Sequence, residues 1–160
     1  YHYEDSPSKE IQMEGFISQL NVALEYNLVP VLHIRDALED AYNIITNDKY
    51  KKMNIVFHSY SGDVEFTKKC LSHDNLYFSF SGVVTFKNAK KIQDSLCLIP
   101  IDRIFCETDS PYLAPVPMRG KPNISPYVEY TYKYISNLKN IDESKLILQI
   151  RENIKKVFRI

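Results

Sequence analysis

Three short apolar segments each end in a side chain that can bind a metal ion or transfer a proton. These side chains are His33, His58 and Asp109. Neutral imidazole suits divalent metals of the zinc and manganese type, and two histidines on neighbouring parallel strands can point at one ion. Asp109 precedes Ser110-Pro111, and proline disfavours helix in the residue before it, so the strand should end there. The pattern indicates a hydrolytic metal site.

Each of these residues also has a simpler structural explanation when it is taken alone. A histidine after an apolar run is often an ordinary strand-end residue, and a lone aspartate is often a turn or N-cap residue. The spacing argues against this, because successive motifs lie roughly 20 to 27 residues apart. One strand and one helix of a parallel barrel need about that length.

The elements that carry these residues alternate between strand and helix patterns. Strand segments end near His33, His58, Gly82 and Asp109, and they are continuous apolar runs, as expected when protein covers both faces of a sheet. Helical periodicity is expected over Ile11–Tyr26, 36–46 with Asp36 as N-cap, Asp63–Leu71 and Asn88–Leu98, followed by two helices at the end of the chain. This order predicts an α/β fold with a parallel sheet.

Four strands are too few for a closed barrel, which needs eight strands and about 250 residues. We therefore expect residues 1–160 to be a single domain that forms a partial barrel of about four parallel strands. The open sheet edges would then promote self-association. A flavodoxin-like doubly wound sheet is the alternative fold that needs no missing part.

The composition is that of a globular protein, with 44% hydrophobic and 25% charged residues. Twenty basic residues balance twenty acidic ones, so net charge does not predict nucleic-acid binding, and any such binding must be local. Residues 1–30 show neither a basic start nor an apolar signal core, and we expect no membrane partner. Three cysteines without Cys-x-x-Cys spacing predict buried thiols in a reducing cytoplasmic or nuclear compartment.

Four ordered motifs resemble the TatD family of metal-dependent deoxyribonucleases of the amidohydrolase type. They are His33-Ile34-Arg35-Asp36-Ala37, His58-Ser59-Tyr60-Ser61-Gly62, Tyr77-Phe78-Ser79-Phe80-Ser81-Gly82 and 107–115, which reads Glu-Thr-Asp-Ser-Pro-Tyr-Leu-Ala-Pro. The resemblance implies a TIM-barrel hydrolase with two divalent ions, Mg²⁺, Mn²⁺ or Zn²⁺, per complete site. It implies that His33, His58 and Asp109 bind metal and that Asp109 also accepts a proton from the attacking water. DNA, in single-stranded form, is the implied partner.

The sequence departs from the family pattern at its start. Family members begin with a His-x-His strand and carry a metal-bridging Glu on the fourth strand, and this sequence contains neither. The resemblance therefore covers only the C-terminal half or so of the family barrel and implies an incomplete site. A smaller departure is Ile124-Ser125-Pro126, where the family usually has Glu-Pro directly after the Asn.

Hydrolysis of DNA would also require groups that hold the phosphates. We expect substrate contacts from Arg35, Ser81, Arg119, Lys121 and Asn123. The last three lie in a segment, residues 110–128, that contains five prolines and no acidic residue. A loop of this kind at the catalytic end of a barrel can contact the DNA backbone, although a solvated surface loop with incidental charges is the simpler explanation.

Three further side chains lie beside these motifs. Tyr60 and Tyr112 are candidates for base stacking. Glu107 should share the side of the strand that Asp109 occupies, and we favour a structural, hydrogen-bonded role for it over metal binding.

Two other functions remain open at this point. The metal site could act on another ester or amide, because fold and ligands do not separate these substrates from DNA. Alternatively, the chain is an inactive half-barrel fragment or an assembly module, as the missing family residues suggest.

Overall fold

Four parallel strands form the centre of the protein, seen here in a computed structural model that describes residue 1 and residues 3–160. The strands are β1 (Val31–His33), β2 (Ile55–His58), β3 (Leu76–Phe80) and β4 (Ile104–Cys106). They follow one another across the sheet in chain order, β1-β2-β3-β4. A doubly wound sheet would reverse this order at a switch point. The order is that of a barrel segment, so the TIM-barrel prediction describes the sheet and the flavodoxin-like alternative does not.

Helices connect and cover the strands. They are α1 (Lys9–Glu25), α2 (Leu38–Ile45), α3 (Val64–Leu71), α4 (Lys90–Leu98), α5 (Val128–Leu138) and α6 (Glu143–Phe158), with short 3-10 turns at Gly82–Thr85, Ile101–Arg103 and Ser125–Tyr127. Asp63 caps α3 by accepting a hydrogen bond from the Phe66 N–H at 2.8 Å. The prediction that Asp36 caps α2 was wrong, because Ala37 occupies the N-cap position. Asp36 lies one residue earlier in the left-handed region, with φ of 55°.

The core lies on both faces of the sheet and is rich in aromatic rings. All residues of β3 are buried, and the Phe57 and Phe78 rings stack with centroids 5.8 Å apart. Tyr60 packs edge-on against Phe78 and is only 2% exposed, while its hydroxyl lies 2.8 Å from the Thr67 hydroxyl. The expectation that Tyr60 stacks on a base was therefore wrong, because its ring faces the core.

The three cysteines lie in different surroundings. Cys70 is buried, and burial raises the pKa of its thiol to about 12. Cys106 is partly buried at the end of β4, and desolvation raises the pKa of its thiol as well. Cys97 is exposed on α4, so the expectation of buried thiols fails at this position. The helical period of the sequence predicted that Cys97 lies on a helix, but it did not show which side of that helix faces solvent.

The edge of the sheet formed by β1 carries an exposed apolar surface. We call this surface the β1 edge, and it consists of Val22, Leu28 and Val31. Val31 is 53% exposed, and a groove of about 370 Å³ runs between α1 and β1. A contiguous exposed apolar surface favours association with further protein. Nowhere in the part of the chain that the structure describes is a helix long and apolar enough to cross a bilayer.

One hydrophobic cluster extends through all four strands, from Leu20 in α1 to Val157 in α6. This continuity agrees with the expectation of one domain over residues 1–160, which stays a prediction.

We propose that the isolated chain self-associates through the β1 edge. Val31→Lys should shift the chain toward the monomer, because a lysine on an edge strand opposes further strand pairing. Size-exclusion chromatography with light scattering at several concentrations measures this change. Leu148→Lys, at an exposed position of α6, is the matched control and should leave the mass unchanged. A chain that is monomeric before any substitution, or an equal effect of both variants, would contradict the proposal.

Candidate metal centre

The carboxyl ends of the strands deliver three of the predicted site residues to one side of the sheet. His33 ends β1 and His58 ends β2, and the register pairs these two residues directly. Their ring centroids lie 5.6 Å apart. Beyond β4, the Glu107 N–H donates to the Phe80 carbonyl at 3.1 Å, so the chain still follows β3 at this point. Asp109 comes two residues later.

His58 is the centre of this group, since both of its ring nitrogens face carboxylate oxygens. Its Nδ1 lies 2.8 Å from Glu107 Oε1, and its Nε2 lies 2.9 Å from Asp109 Oδ1. The three side chains are 20 to 23% exposed, so water reaches them without fully solvating them. Glu107 and Asp109 therefore act from the same side of the chain, as their spacing of two residues predicts.

Glu107 also holds the backbone that follows β2. Its Oε1 accepts a hydrogen bond from the Ser59 N–H at 2.5 Å. Ser59 has a left-handed backbone with φ of 43°, a conformation that few residues other than glycine adopt without compensating contacts. The carboxylate therefore links β4 to the end of β2 across the intervening β3. The expected hydrogen-bonded role of Glu107 agrees with these contacts.

His58 and Asp109 offer an imidazole nitrogen and a carboxylate oxygen, which are atoms that divalent ions take as ligands. Two ligands that bind an ion at about 2.1 Å with a right angle between them lie about 3 Å apart. The 2.9 Å between His58 Nε2 and Asp109 Oδ1 agrees with this spacing. No group of three or more His, Cys, Asp or Glu residues that could hold a metal occurs in residues 1 and 3–160. His33 is exposed on the edge strand with its ring centroid 5.6 Å from that of His58, and its role as the third ligand stays a prediction.

Ser81 lies at the end of β3, close to the metal centre but inside the protein. Its side chain is buried, and its hydroxyl lies 2.8 Å from the Ser59 hydroxyl. The predicted contact between Ser81 and substrate is not favoured by this geometry, because Ser59 is the more accessible of the pair. Sequence reasoning missed Ser59, although it directly follows His58 and could have been considered for that reason.

Residues 110–128, which contain no acidic residue and which we call the acid-free loop, dock on the turn after β3. The Val116 N–H donates to the Thr85 hydroxyl at 2.8 Å, and this hydroxyl donates to the Gly82 carbonyl at 2.7 Å. A β-carbon at Gly82 would lie 2.5 Å from the Leu113 carbonyl oxygen. Only glycine permits this approach. The docking fixes the loop beside the metal centre, and its dependence on Thr85 and Gly82 was not evident from the sequence.

Arg119 and Lys121, the two basic residues of this loop, are both exposed. The Arg119 guanidinium carbon lies 3.9 Å from the centroid of the Phe86 ring, a close cation–π contact that restricts the side chain. Tyr112 on the same loop is 73% exposed, so its ring is available to a ligand. Arg35 is exposed two residues after β1, which forms the edge of the sheet opposite to β4.

Asn123 does not reach the surface of the loop. It is 3% exposed, and its side-chain amide donates to the Tyr112 carbonyl at 2.8 Å. Its backbone N–H donates to the Pro111 carbonyl at 2.9 Å. The predicted substrate contact of Asn123 is therefore replaced by a structural one, because the residue closes the loop from inside.

Comparison with known proteins identifies the family of this chain. The family model described as TatD related DNase matches residues 1–159. The uncharacterized metal-dependent hydrolase YabD of Bacillus subtilis is 41% identical over 160 residues, which are 100% of this chain and 62% of YabD. The chain belongs to the TatD family. YcfH of Escherichia coli K12, also an uncharacterized metal-dependent hydrolase, is 36% identical over 159 residues, which are 99% of this chain and 60% of YcfH.

Solved structures agree with the fold. The TatD homologue YJJV of Escherichia coli K12 superposes with a TM-score of 0.88 at 21% identity, over 99% of this chain and 61% of that protein. A TatD family hydrolase from Entamoeba histolytica superposes with a TM-score of 0.81 at 17% identity, over 96% of this chain and 58% of that protein. The likeness confirms the predicted fold, a segment of a TIM barrel. The chain spans about three fifths of the length of these relatives.

Gly82→Ala should displace the acid-free loop and destabilise the protein. The new methyl group would meet the Leu113 carbonyl oxygen and the Pro115 nitrogen at 2.5 and 2.8 Å, and both are backbone atoms. We expect a loss of about 1 to 3 kcal/mol in the free energy of unfolding, measured by urea denaturation. Gly15→Ala is the matched control, because no atom lies within 4 Å of its new methyl group and its site is helical. This control should stabilise by about 0.5 to 1 kcal/mol. Equal stability of the Gly82 variant and the unmodified protein would contradict the docking.

Proposed function

We propose that this chain provides the C-terminal part of a metal-dependent deoxyribonuclease that hydrolyses DNA phosphodiester bonds. The observation that carries the proposal is His58, held between Glu107 and Asp109 at the strand ends, beside a basic loop without acidic residues. Membership of a family whose relatives are named metal-dependent hydrolases supports the metal and the hydrolysis. The DNA substrate is the further step of the proposal.

His58 Nε2 and an oxygen of Asp109 are the ligands that we propose for the ion, with His33 as a third ligand from the neighbouring strand. Mg²⁺, Mn²⁺ and Zn²⁺ are the candidate metals, with two ions in a complete site. A divalent metal, when bound, supplies a Lewis acid for the phosphoryl group and lowers the pKa of water toward neutrality.

Asp109 is proposed to accept a proton from the attacking water. Its Oδ1 lies 2.9 Å from His58 Nε2, and the Asp109 side chain is 20% exposed, so water can reach the carboxylate. The Tyr112 N–H donates to the Asp109 backbone carbonyl at 2.6 Å, which closes a turn directly after this residue. The short reach of aspartate then limits where the water can lie.

The acid-free loop supports nucleic acid as the substrate. Arg119 and Lys121 can contact phosphates, and such contacts position DNA without reading its sequence. Phe86 holds the Arg119 guanidinium in place, so less side-chain entropy is lost on binding. Tyr112 offers an exposed ring for stacking on an unpaired base, which favours single-stranded DNA. Arg35 would extend the phosphate contacts toward β1.

One observation favours a second candidate, an inactive half-barrel or assembly module. The described residues contain no group of three metal-ligating side chains arranged as a site. If two ligands bind the ion too weakly, this chain requires the rest of a barrel before it can hydrolyse anything.

Hydrolysis of labelled single-stranded DNA with Mg²⁺ or Mn²⁺ tests the proposed function. Each of His58→Ala and Asp109→Ala should lower the rate of hydrolysis by roughly 10²-fold or more, because each substitution removes a proposed metal ligand. Asp109→Ala also removes the proposed proton acceptor. Arg119→Ala and Lys121→Ala should instead raise KM, and each should reduce the salt slope of binding by about one. Lys155→Ala is the control, because Lys155 lies on α6 in a surface ion pair with Glu152.

Two results would contradict this proposal. Hydrolysis of a small ester or amide without any hydrolysis of DNA would assign the site to another substrate class. No hydrolysis at any metal concentration would favour the inactive candidate for this chain.

A further inference from the structure

Leu113, in the acid-free loop, adopts a backbone conformation that leucine disfavours. Its φ is 53°, in the left-handed region, where the β-carbon of any residue other than glycine is crowded. Asparagine and aspartate tolerate this region best, because their side chains can form local hydrogen bonds. Among the described residues other than glycine that have a positive φ, Leu113 alone is apolar; the others are Asn27, Asp36, Ser59, Asn140 and Arg159.

The contacts of the loop hold Leu113 in this conformation. Its carbonyl oxygen faces Gly82, where a β-carbon would lie only 2.5 Å away. The preceding residue, Tyr112, is bonded on both sides of its backbone. Its N–H donates to the Asp109 carbonyl at 2.6 Å, and its carbonyl accepts from the Asn123 side-chain amide at 2.8 Å. Leu113 therefore cannot relax to an ordinary conformation without loosening the docked loop.

This strained backbone leaves much of the Leu113 side chain in solvent. Leu113 is 46% exposed, and the neighbouring Tyr112 is 73% exposed. Ile124 is also 46% exposed, and it follows Asn123, which is bonded to the Tyr112 carbonyl. Apolar side chains that stay at the surface contribute little to the core. Strain that is kept without a matching gain in packing is typical of binding and catalytic segments.

The charge and position of the loop indicate what it contacts. The loop carries Arg119 and Lys121 and no acidic residue, which favours an anionic partner. Leu113 lies four residues after Asp109, and the hydrogen bond between Tyr112 and Asp109 keeps it beside the candidate metal centre. A nucleic acid with unpaired bases is an anion that also offers flat faces to apolar side chains. Stacking hides these faces in a duplex.

We infer that Leu113 is a specificity-determining residue that packs, together with the Tyr112 ring, on an unpaired base beside the metal centre. The inference rests on the proposed function, because DNA is the substrate proposed there. It adds that a base face, and not only the phosphates, is part of the bound site. A paired end would have to open before it could make this contact.

Equilibrium binding to the metal-free chain, with a chelator present, separates this contact from phosphate contacts and from hydrolysis. Three fluorescent probes are compared by anisotropy: an oligothymidylate, an abasic strand of the same length that keeps the phosphates, and the oligothymidylate paired with oligoadenylate. The unmodified chain should bind the oligothymidylate about 5- to 100-fold more tightly than the abasic strand, as expected for one stacked base.

Leu113→Asn is the central variant, because asparagine has a similar size and tolerates the left-handed backbone but lacks the apolar surface. It should weaken binding of the oligothymidylate by about 3- to 10-fold and leave the abasic strand and the duplex unaffected. Leu113→Met should retain most of the affinity. Lys121→Ala should weaken binding of all three probes, because it removes a phosphate contact. Leu148→Asn, the same substitution at an exposed position of α6, is the control and should change none.

Leu113→Gly tests the strain itself. Glycine adopts a positive φ without crowding, so the thermal midpoint of this variant should stay unchanged or rise while its affinity for the oligothymidylate falls. A clear fall in the thermal midpoint would show that Leu113 stabilises the fold through its packing, and it would overturn the inference.

The other outcomes separate this inference from the proposed function. Equal affinity of the unmodified chain for the oligothymidylate and the abasic strand, or no effect of Leu113→Asn, overturns the inference even if DNA is hydrolysed. Binding to phosphatidylserine vesicles that Leu113→Asn abolishes, without base-dependent binding of DNA, assigns the loop to a membrane surface and also overturns it. Base-dependent binding by a chain that hydrolyses no DNA with Mg²⁺ or Mn²⁺ supports the inference and contradicts the proposed function.

Discussion

The contact of one imidazole with two carboxylates is the interaction on which the candidate site depends. His58 comes from β2, and Glu107 and Asp109 come from the chain beyond β4, so the contact spans three strands. It exists only because all strands are parallel and end at the same side of the sheet. A shift of one residue in β4 would turn both carboxylates to the other face. The buried aromatic core beneath β2 and β3 holds this register and thereby holds the site.

The second constraint is the close approach of the acid-free loop to the turn after β3. Gly82 permits the approach, the Thr85 hydroxyl links the two segments, and Phe86 receives the Arg119 guanidinium. The loop begins directly after Asp109. The same segment therefore bears the proposed proton acceptor and the proposed phosphate contacts. A change in the docking should affect substrate binding together with the geometry of the metal centre.

Much of this arrangement could be predicted from the sequence, because it depends on local patterns. Apolar runs that end near His33, His58 and Asp109 predicted the parallel strands, and periodicity predicted the helices to within a few residues, whereas the order of the strands came from the structure. Residues whose roles depend on packing between distant segments were not predicted. Tyr60 lies within a site motif and Asn123 lies in the acid-free loop, yet both side chains are buried. Cys97 lies on a helix whose exposed side was not apparent, and Ser59 acquires its role only through its hydrogen bond to Glu107, which comes from beyond β4.

The central claim is that His58 and Asp109 hold a divalent ion while Glu107 holds His58. Crystals of the chain grown with Mn²⁺ and measured for anomalous diffraction test this claim most directly. The account predicts a Mn²⁺ peak about 2 Å from both His58 Nε2 and an Asp109 oxygen, with Glu107 Oε1 still bonded to His58 Nδ1. An ion bound through Glu107 with His58 turned away, or no peak beside His58 at saturating Mn²⁺, would contradict it.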